Sequence, residues 1–377
     1  MVHSSKRKQS GARTDVLIIG GGPGGSAAAI RCASAGLKVT LIERQAFPRE
    51  RPGETLHPGV EPLLKQLGVF EQVERAGFLR HEGNWVTWNS AERFEPFGAD
   101  ENGPWRGYQA WRADFDLILI DRARQLGVRV MQSCRADHPL LNDARVAGLE
   151  TSEGSVSSAF VIDAAGGSHW LARQLGLSIE RWSPPLVARF GYFEGECPAR
   201  DEAPAIVADD NGWTWTARVK TNTYQWTRLA FQREAGQTTP PEFEMLKPLG
   251  PVQGADVTWR VVSRSAGPGY FFAGDAAAVL DPASSHGALR AMMSGIMAGH
   301  QIAQVMLHNA SEARVAAAYS RWLRDWFLHD ARIMAELYAK LPYPPVWLPD
   351  ALRSLNRSAP PAGHRWAGTT LSSGHSA

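Results

Sequence analysis

The stretch 15-DVLIIGGGPGGSAAAIRCASA-35, near the start of the chain, decides the fold. Residues 15–19 form an apolar run rich in β-branched side chains, which predicts a buried strand. The glycine-rich run 20–25 predicts a tight turn, and the alanine-rich residues after it predict a helix that ends at Gly36. Residues 37–42 predict a second strand, which Glu43 closes. A strand–helix–strand unit of this size is typical of nucleotide binding.

The glycines of this unit have the spacing G-x-G-x-x-G, with Gly20, Gly22 and Gly25 at the fixed positions. Gly20 permits the tight turn, Gly22 lets the backbone approach a pyrophosphate, and Gly25 lets the helix pack on the sheet. The phosphates would lie at the positive end of the helix dipole. Glu43 is placed to accept hydrogen bonds from ribose hydroxyls, which disfavours a 2′-phosphate there. The alternative is a glycine-rich turn that binds nothing.

The composition excludes several classes of protein. The chain has 377 residues, is 44% hydrophobic, and carries a formal charge of +2. This length and apolar content argue against disorder, and the balanced charge argues against a general binder of nucleic acid or anionic membrane. The three cysteines lack CxxC spacing, which predicts buried thiols and no metal site. No apolar run approaches the ~20 residues of a membrane span, so we expect a soluble, cytoplasmic protein.

Hydrophobic patterning predicts further elements along the chain. An aromatic-rich region of strands and loops spans 83–111, and antiparallel strands are predicted over 205–232. A last buried strand is predicted at 270–275. Helices are predicted over 58–68, from 112 onward, over 287–306 and over 312–341.

Four stretches resemble FAD enzymes of the glutathione-reductase-like class. They are the glycine run with 43-ERQAFPRERPGE-54, Arg112 at a helix start, 163-DAAGGS-168, and Gly274-Asp275 followed by 281-DPASSHG-287. The resemblance covers residues 14–340, in the family's order. The chain is most similar to the branch that holds flavin monooxygenases and flavin-dependent halogenases, which are built like aromatic-ring hydroxylases.

The resemblance implies an α/β fold with a discontinuous, Rossmann-type FAD-binding domain and a mostly antiparallel substrate domain. We assign 14–75, 112–175 and 264–310 to the first domain, and 76–111 and 176–263 to the second. A C-terminal helix is expected over 311–341, between a flexible tail at 1–13 and a loosely ordered tail at 342–377.

The resemblance also implies the cofactor site. Asp275 would bind the ribityl chain, although a helix cap is the alternative reading. Independently of the family, the predicted helix start near Gly287 would aim free N–H groups at a reduced flavin, whose N1 and O2 carry negative charge. The expected FAD-binding residues are Gly20, Gly22, Pro23, Gly24, Gly25, Glu43, Arg44, Arg51, Glu54, Arg112, Gly274, Asp275, Pro282, Ser285 and Gly287.

The expected substrate residues are Trp213 and Trp215, within 212-GWTWTAR-218. Flavin-dependent halogenases carry a Trp-x-Trp-x-Ile-Pro stretch and a lysine that relays hypohalous acid. The two tryptophans are present here, but Ile-Pro is not, and 76-AGFLR-80 offers no lysine. These departures argue against halogenation. Core packing is the alternative role for both tryptophans.

We therefore expect an FAD-dependent monooxygenase that hydroxylates an aromatic substrate through a flavin C4a-hydroperoxide. His286 and His57 are the candidate acid–base groups, with a structural role as the alternative for each. A resemblance to flavoproteins that act on tryptophan residues during quinone-cofactor maturation makes a peptide or protein substrate one option, beside an aromatic small molecule.

Other functions remain open from the sequence. They are a C=C reductase of the prenyl-reductase type, a halogenase without the usual lysine, and a non-catalytic protein with a flavin-like fold. The sequence has no second G-x-G-x-x-G, so electrons would come from transiently bound NAD(P)H or from a partner flavin reductase.

Overall fold

The computed structural model describes residues 12–232 and 239–358. The predicted strand–helix–strand unit is confirmed, and it forms the centre of an eight-stranded sheet. Along the main path of this sheet the strands are Arg129–Met131, Val39–Ile42, Ala12–Ile19, Gly154–Asp163, Arg145–Thr151 and Ala136–Asn142. Tyr270–Phe272 pairs parallel to Gly154–Asp163, and Ala266–Gly267 pairs with Tyr270–Phe272.

The register of this sheet brings the cofactor-type stretches to one edge. Ile19 lies opposite both Ile42 and Asp163, and Asp163 lies opposite Phe272. These strands run parallel, so the segments that follow them emerge side by side. The glycine turn, Glu43, the 164–168 loop and Gly274 therefore share the carboxyl edge of the sheet.

Eight α-helices lie within the described residues: α1 (Pro23–Ser34), α2 (Glu61–Leu67), α3 (Phe70–Arg75), α4 (Arg112–Gln125), α5 (Trp170–Gln174), α6 (Gly287–His308), α7 (Glu312–Ala339) and α8 (Leu348–Arg357). Helices α1 and α6 cross at very short range. A Cβ added to Gly295 would lie 2.1 Å from the backbone oxygen of Gly24. Close packing of α6 therefore holds the start of α1 in place.

A seven-stranded sheet forms the second layer, and we call it the wall sheet. All its neighbouring strands are antiparallel except Ala205–Asp209 and Gly83–Thr87, which run parallel. The predicted meander over 205–232 is confirmed as its central strands. The wall sheet has the order Lys247–Asp256, Val187–Glu194, Thr223–Ala230, Gly212–Lys220, Ala205–Asp209, Gly83–Thr87, Arg93–Pro96.

The two faces of the wall sheet have different partners. A small separate core covers one face, formed by Phe193, Cys197, Tyr224, Trp226 and Phe243. The other face looks toward the carboxyl edge of the first sheet. Three minor sheets complete the described strands: Ile179–Arg181 with Arg260–Val262 and Ala278–Val279; Thr55–Leu56 with Gly107–Gln109 and Leu79–His81; and Ala99–Asp100 with Gly103–Pro104.

The C-terminal region differs from the sequence prediction. Helix α7 is present, but part of the predicted loose tail is the helix α8, whose Leu348 and Leu355 are buried. Apolar residues at helical spacing in this short segment pack against α7, which the Pro- and Ser-rich composition obscured. Residues 359–377 of that tail lie outside the described residues. So do residues 1–11 of the predicted N-terminal tail, whose last two positions already belong to the strand Ala12–Ile19.

Within 12–232 and 239–358, none of the helices has the length and apolar character that a bilayer span needs.

Candidate functional site

One cavity of about 760 Å³ lies between the carboxyl edge of the first sheet and the wall sheet. This volume falls within the range of small-molecule and cofactor sites. All the predicted cofactor residues line it except Gly25. Trp213 and Trp215 line it as well. The tertiary structure thus joins the predicted cofactor and substrate residues in one continuous space.

The backbone conformation of the glycine turn and the space around each glycine explain why glycine stands at these positions. Gly20 has φ +95°, and a Cβ there would lie 2.5 Å from the backbone oxygen of Ala164. A Cβ on Gly25 would lie 1.9 Å from the oxygen of Gly20, so Gly25 packs beneath the turn and does not face the cavity. A Cβ on Gly22 would meet only the Nη2 of Arg49, at 3.5 Å. Gly22 therefore borders open space at the N-terminus of α1.

A buried ionic network supports the turn. The Glu43 Oε2 accepts a hydrogen bond from the Gly21 amide at 2.9 Å, and it lies 3.5 Å from the guanidinium of Arg49. Arg49 also pairs with Asp116 at 3.2 Å. Arg112 holds the same carboxylate through two hydrogen bonds of 3.0 and 3.1 Å. Sequence reasoning missed Asp116, although its i,i+4 spacing from Arg112 on a helix was a usable signal.

Glu54 is buried beside this network. Its Oε1 accepts a hydrogen bond of 2.6 Å from the Tyr192 hydroxyl, and its Oε2 accepts one of 2.9 Å from the Gly53 amide. Burial raises the pKa of Glu54, while Tyr192 and Arg112 act in the opposite direction. Nothing in the sequence paired Glu54 with Tyr192, which lies 138 positions away.

His169 ties the second and third cofactor-type stretches together. Its Nδ1 lies 2.9 Å from the Ala276 oxygen, and its Nε2 lies 2.8 Å from the Nε of Arg260. A carbonyl can only accept and a guanidinium can only donate, so the proton is on Nδ1 and the ring is neutral. Burial lowers the pKa of His169, in agreement with this state. Arg260 also donates to the Gly167 oxygen, at 2.9 Å.

Asp163 ends its strand, but the strand predicted over 270–275 ends at Phe272, and Asp275 lies in the 3-10 turn Gly274–Ala276 that follows. The two carboxylates serve different local purposes. The Asp163 carboxylate caps the following loop, accepting from the amides of Ala165 and Leu171 at 2.9 Å each. Burial raises its pKa to about 6, which those amides oppose. Asp275 is exposed, and it lines the cavity. No described residue donates a hydrogen bond to it. Its pKa is raised by desolvation and lowered by Arg290 and Arg112.

The turn after Asp275 is anchored by the C-terminal helix. The Asp281 Oδ2 accepts hydrogen bonds from the Tyr338 hydroxyl at 2.8 Å and from the Trp259 indole at 2.7 Å. The same hydroxyl accepts from the Trp213 indole at 2.9 Å. Trp213 is thus both a cavity wall and a core side chain, 1% exposed. Tyr338 had no motif signal, because its role depends on how α7 packs.

Replacing Tyr338 by phenylalanine should destabilise the protein. The substitution leaves the Trp213 indole without its acceptor and removes one donor from Asp281. A buried polar group without its partner costs about 1–3 kcal/mol. Urea unfolding should show that the free energy of unfolding falls by this amount. The control Tyr343→Phe, at a side chain that is 61% exposed, should leave it almost unchanged. An unchanged midpoint in the Tyr338 variant would contradict the network.

The candidate acid–base histidines lie together, outside the cavity lining. The His57 and His286 ring centroids are 4.9 Å apart, and Phe97 lies between His57 and His81. Burial lowers the pKa of His57. Burial, with nearby Arg290, lowers the pKa of His286 to about 3. Both rings are therefore neutral at neutral pH, and their catalytic role stays a prediction.

His81 should make the stability of the fold depend on pH. Burial lowers its pKa to about 4. Below the unfolded value of about 6.5, the unfolded chain takes up a proton that the folded ring does not, so stability falls as pH falls. Asp163, whose pKa is raised, acts in the opposite direction. The comparison is therefore between the wild type and His81→Gln. Asp163 titrates in both proteins, so the difference between them reports the titration of His81 alone.

The free energy of unfolding of the wild type, relative to that of His81→Gln, should fall by roughly 2 kcal/mol from pH 7 to pH 5. Urea unfolding at several pH values measures it. A difference that stays constant over this window would mean that folded His81 titrates normally.

The segment 76-AGFLR-80, where a halogenase lysine was expected, does not line the cavity. Arg80 pairs with Glu74 at 2.8 Å and stacks 3.9 Å from the Tyr108 ring centroid. Within the described part of the chain, no lysine lines the cavity. Lys220, at the end of a wall strand, lies 4.2 Å from the Trp111 ring centroid. The described residues also hold no group of side chains that would bind a metal ion.

Comparisons with known proteins agree with this architecture. The model of the family "FAD binding domain" matches residues 13–323. The chain is 29% identical over 355 residues to a tryptophan 2-halogenase of Chondromyces crocatus, covering 86% of this chain and 68% of that protein. It is 28% identical over 355 residues to the 1H-pyrrole-2-carbonyl-(peptidyl-carrier protein) brominase of Pseudoalteromonas luteoviolacea strain 2ta16, covering 86% and 84%.

A solved structure extends the likeness to three dimensions. The flavin-dependent halogenase CmlS matches with a TM-score of 0.77 at 25% identity, over 87% of this chain and 64% of that one. This chain thus spans less than two thirds of CmlS. The match to the family model covers most of the sequence, and it includes every stretch that resembles a cofactor motif. The chain belongs to the FAD-binding-domain family, in the superfamily of flavin-dependent halogenases and aromatic-ring hydroxylases.

Proposed function

We propose that this protein is an FAD-dependent monooxygenase that hydroxylates an aromatic substrate. The observation that carries the proposal is the continuous cavity, which runs from the glycine turn to Trp213 and Trp215 without a lysine among its described lining residues. Lysine relays the oxidised halide in halogenases of this kind, so its absence favours oxygen transfer. The substrate is an aromatic small molecule or an aromatic side chain of a peptide or protein.

The residues present fit FAD. Gly22 leaves room for a pyrophosphate beside the N-terminus of α1, whose first turn contains no acidic residue. Glu43 would accept from the ribose, and the cavity-facing carboxylate of Asp275 would accept from ribityl hydroxyls. The N-terminus of α6, at Gly287, would stabilise negative charge at the pyrimidine end of the ring. When bound, FAD supplies the activation of oxygen.

The side chains around the cavity would serve the reaction by orientation and by excluding water. The wall sheet presents Phe190, Trp213 and Trp215 to the cavity, so a flat apolar ring is covered on that side. His57 and His286 lie outside the cavity lining. Because both rings are neutral, either one would accept a proton if it takes part in the reaction. NAD(P)H or a partner flavin reductase would supply the electrons.

Product mass tests the proposal directly. The purified flavoprotein is reduced without oxygen, then mixed with oxygen and a panel of indoles, phenols and tryptophan peptides, with and without bromide. We expect products that gain oxygen and do not depend on bromide. Absence of any oxygenated product across the panel would refute the monooxygenase.

A halogenase is the second candidate, because the relatives named above are a tryptophan halogenase and a pyrrolyl brominase. Brominated products that require bromide would select it. A C=C reductase would instead reduce an alkene under anaerobic conditions. The same set of incubations therefore separates the three reactions.

A further inference from the structure

We propose that Gln225 selects the substrate, and that its side-chain carbonyl accepts a hydrogen bond from a ring N–H or phenolic O–H. The inference rests on the proposed function only in assuming that an aromatic substrate occupies this cavity. Gln225 is 5% exposed and lines the cavity from the third strand of the wall sheet. No sequence motif had singled it out.

The hydrogen bonds of Gln225 fix the orientation of its amide. One terminal atom lies 2.9 Å from the backbone oxygen of Trp226 and 2.6 Å from the hydroxyl of Thr227. A backbone carbonyl only accepts, so this atom must be the amide nitrogen. Both of its protons are then used within the wall sheet. The Oε1 is left as the free end of the side chain.

The free end faces accessible space. Within residues 12–232 and 239–358, no donor reaches the Gln225 Oε1, and this atom is not among the buried polar atoms that lack a partner. It therefore retains accessible surface, although the residue as a whole is buried. Since Gln225 lines the cavity, that surface belongs to the cavity. A preorganised, neutral acceptor is thus presented to whatever binds there.

The register places this acceptor beside the aromatic wall. Thr227 lies opposite both Trp215 and Phe190, and Gln225 lies opposite Tyr192 on the same face. Gln225 is therefore a diagonal neighbour of Trp215, close enough to meet the edge of a ring that covers Trp215. The polar groups beside Gln225 are already engaged with other partners. The Thr227 hydroxyl accepts from the Gln225 amide at 2.6 Å, and the hydroxyl of Tyr192, the residue opposite Gln225, donates to Glu54 at 2.6 Å. The acceptor therefore favours a ring whose edge donates, and it disfavours a carbonyl or carboxylate there.

Paired ligands test the idea on the oxidised FAD-loaded protein, without turnover. Indole is compared with 1-methylindole, and phenol with anisole, by following the flavin absorbance change on titration. One neutral hydrogen bond should make each donor bind about tenfold tighter than its methylated partner. The two pairs distinguish an N–H from an O–H donor. Equal affinities within both pairs, or no binding by any of the four, would overturn the proposal.

The variant Gln225→Met keeps the length of the side chain and removes the acceptor. We expect its preference for the donor ligand to fall from about tenfold to about onefold. The matched control is Gln253→Met, at an exposed glutamine of the same sheet that does not line the cavity, and it should keep the preference. A tenfold preference that survives in Gln225→Met would refute the role of this residue.

The wild-type ligand comparison remains decisive if Gln225→Met does not fold. These binding results are also independent of the reaction type. Brominated products would refute the proposed monooxygenase but leave the binding preference standing. Oxygenated products with equal ligand affinities would support the monooxygenase but refute the role of Gln225.

Discussion

Gly22→Val should abolish FAD binding while the protein keeps its fold. Gly22 has φ −76° and ψ −175°, a conformation open to any residue. A Cβ there would meet only the flexible end of Arg49, at 3.5 Å. The valine methyl groups would instead occupy the space beside the N-terminus of α1 that a pyrophosphate needs. We expect at least a hundredfold loss of FAD affinity, on the order of 3 kcal/mol.

Fluorescence titration with FAD and a thermal melt of the apoprotein measure the two halves of this prediction. The matched control is Gly254→Val, which adds the same side chain at an exposed position of an edge strand, and it should bind FAD normally. A Gly22→Val protein that purifies yellow, with the affinity of the wild type, would refute the cofactor assignment. A Gly22→Val protein that fails to fold would refute the open space inferred at this turn.

Gly25→Ala should have the opposite signature, a loss of folding itself. The added methyl group would lie 1.9 Å from the backbone oxygen of Gly20, a distance that no Cβ tolerates. Gly20 is itself fixed, because its φ of +95° and its closeness to Ala164 leave it no room to retreat. The first strand and α1 would have to separate. We expect a loss above about 4 kcal/mol, the range of severe backbone clashes.

Urea unfolding and soluble yield measure the effect of Gly25→Ala. Ser26→Ala, at the next position, removes only a 3.2 Å hydrogen bond to the Gly21 oxygen, so a loss of about 1 kcal/mol is expected. Equal stabilities for these two variants would mean that the strand and helix do not pack as closely as the structure has them.

The sequence by itself determined the elements at the centre of the first sheet and of the wall sheet, and their order. The glycine turn, the parallel strands beside it and the antiparallel meander over 205–232 are written in local patterns of apolar, β-branched and glycine residues. Such patterns depend on the backbone conformation of a few consecutive residues, which the local sequence controls. The order of the cofactor-type stretches was also readable, because each follows a predicted strand or opens a predicted helix.

Only the tertiary structure decided which side chains meet. Tyr338 bonds Trp213 across 125 positions, and Tyr192 bonds Glu54 across 138. No local pattern encodes such pairs, because they depend on how α7 and the wall sheet pack against the first sheet. The same holds for Gln225, whose free carbonyl follows from the neighbours of its amide nitrogen. The alternation of side chains along a strand shows which face of the sheet a residue occupies. The contacts on that face depend on how the first sheet, the wall sheet and the helices pack together.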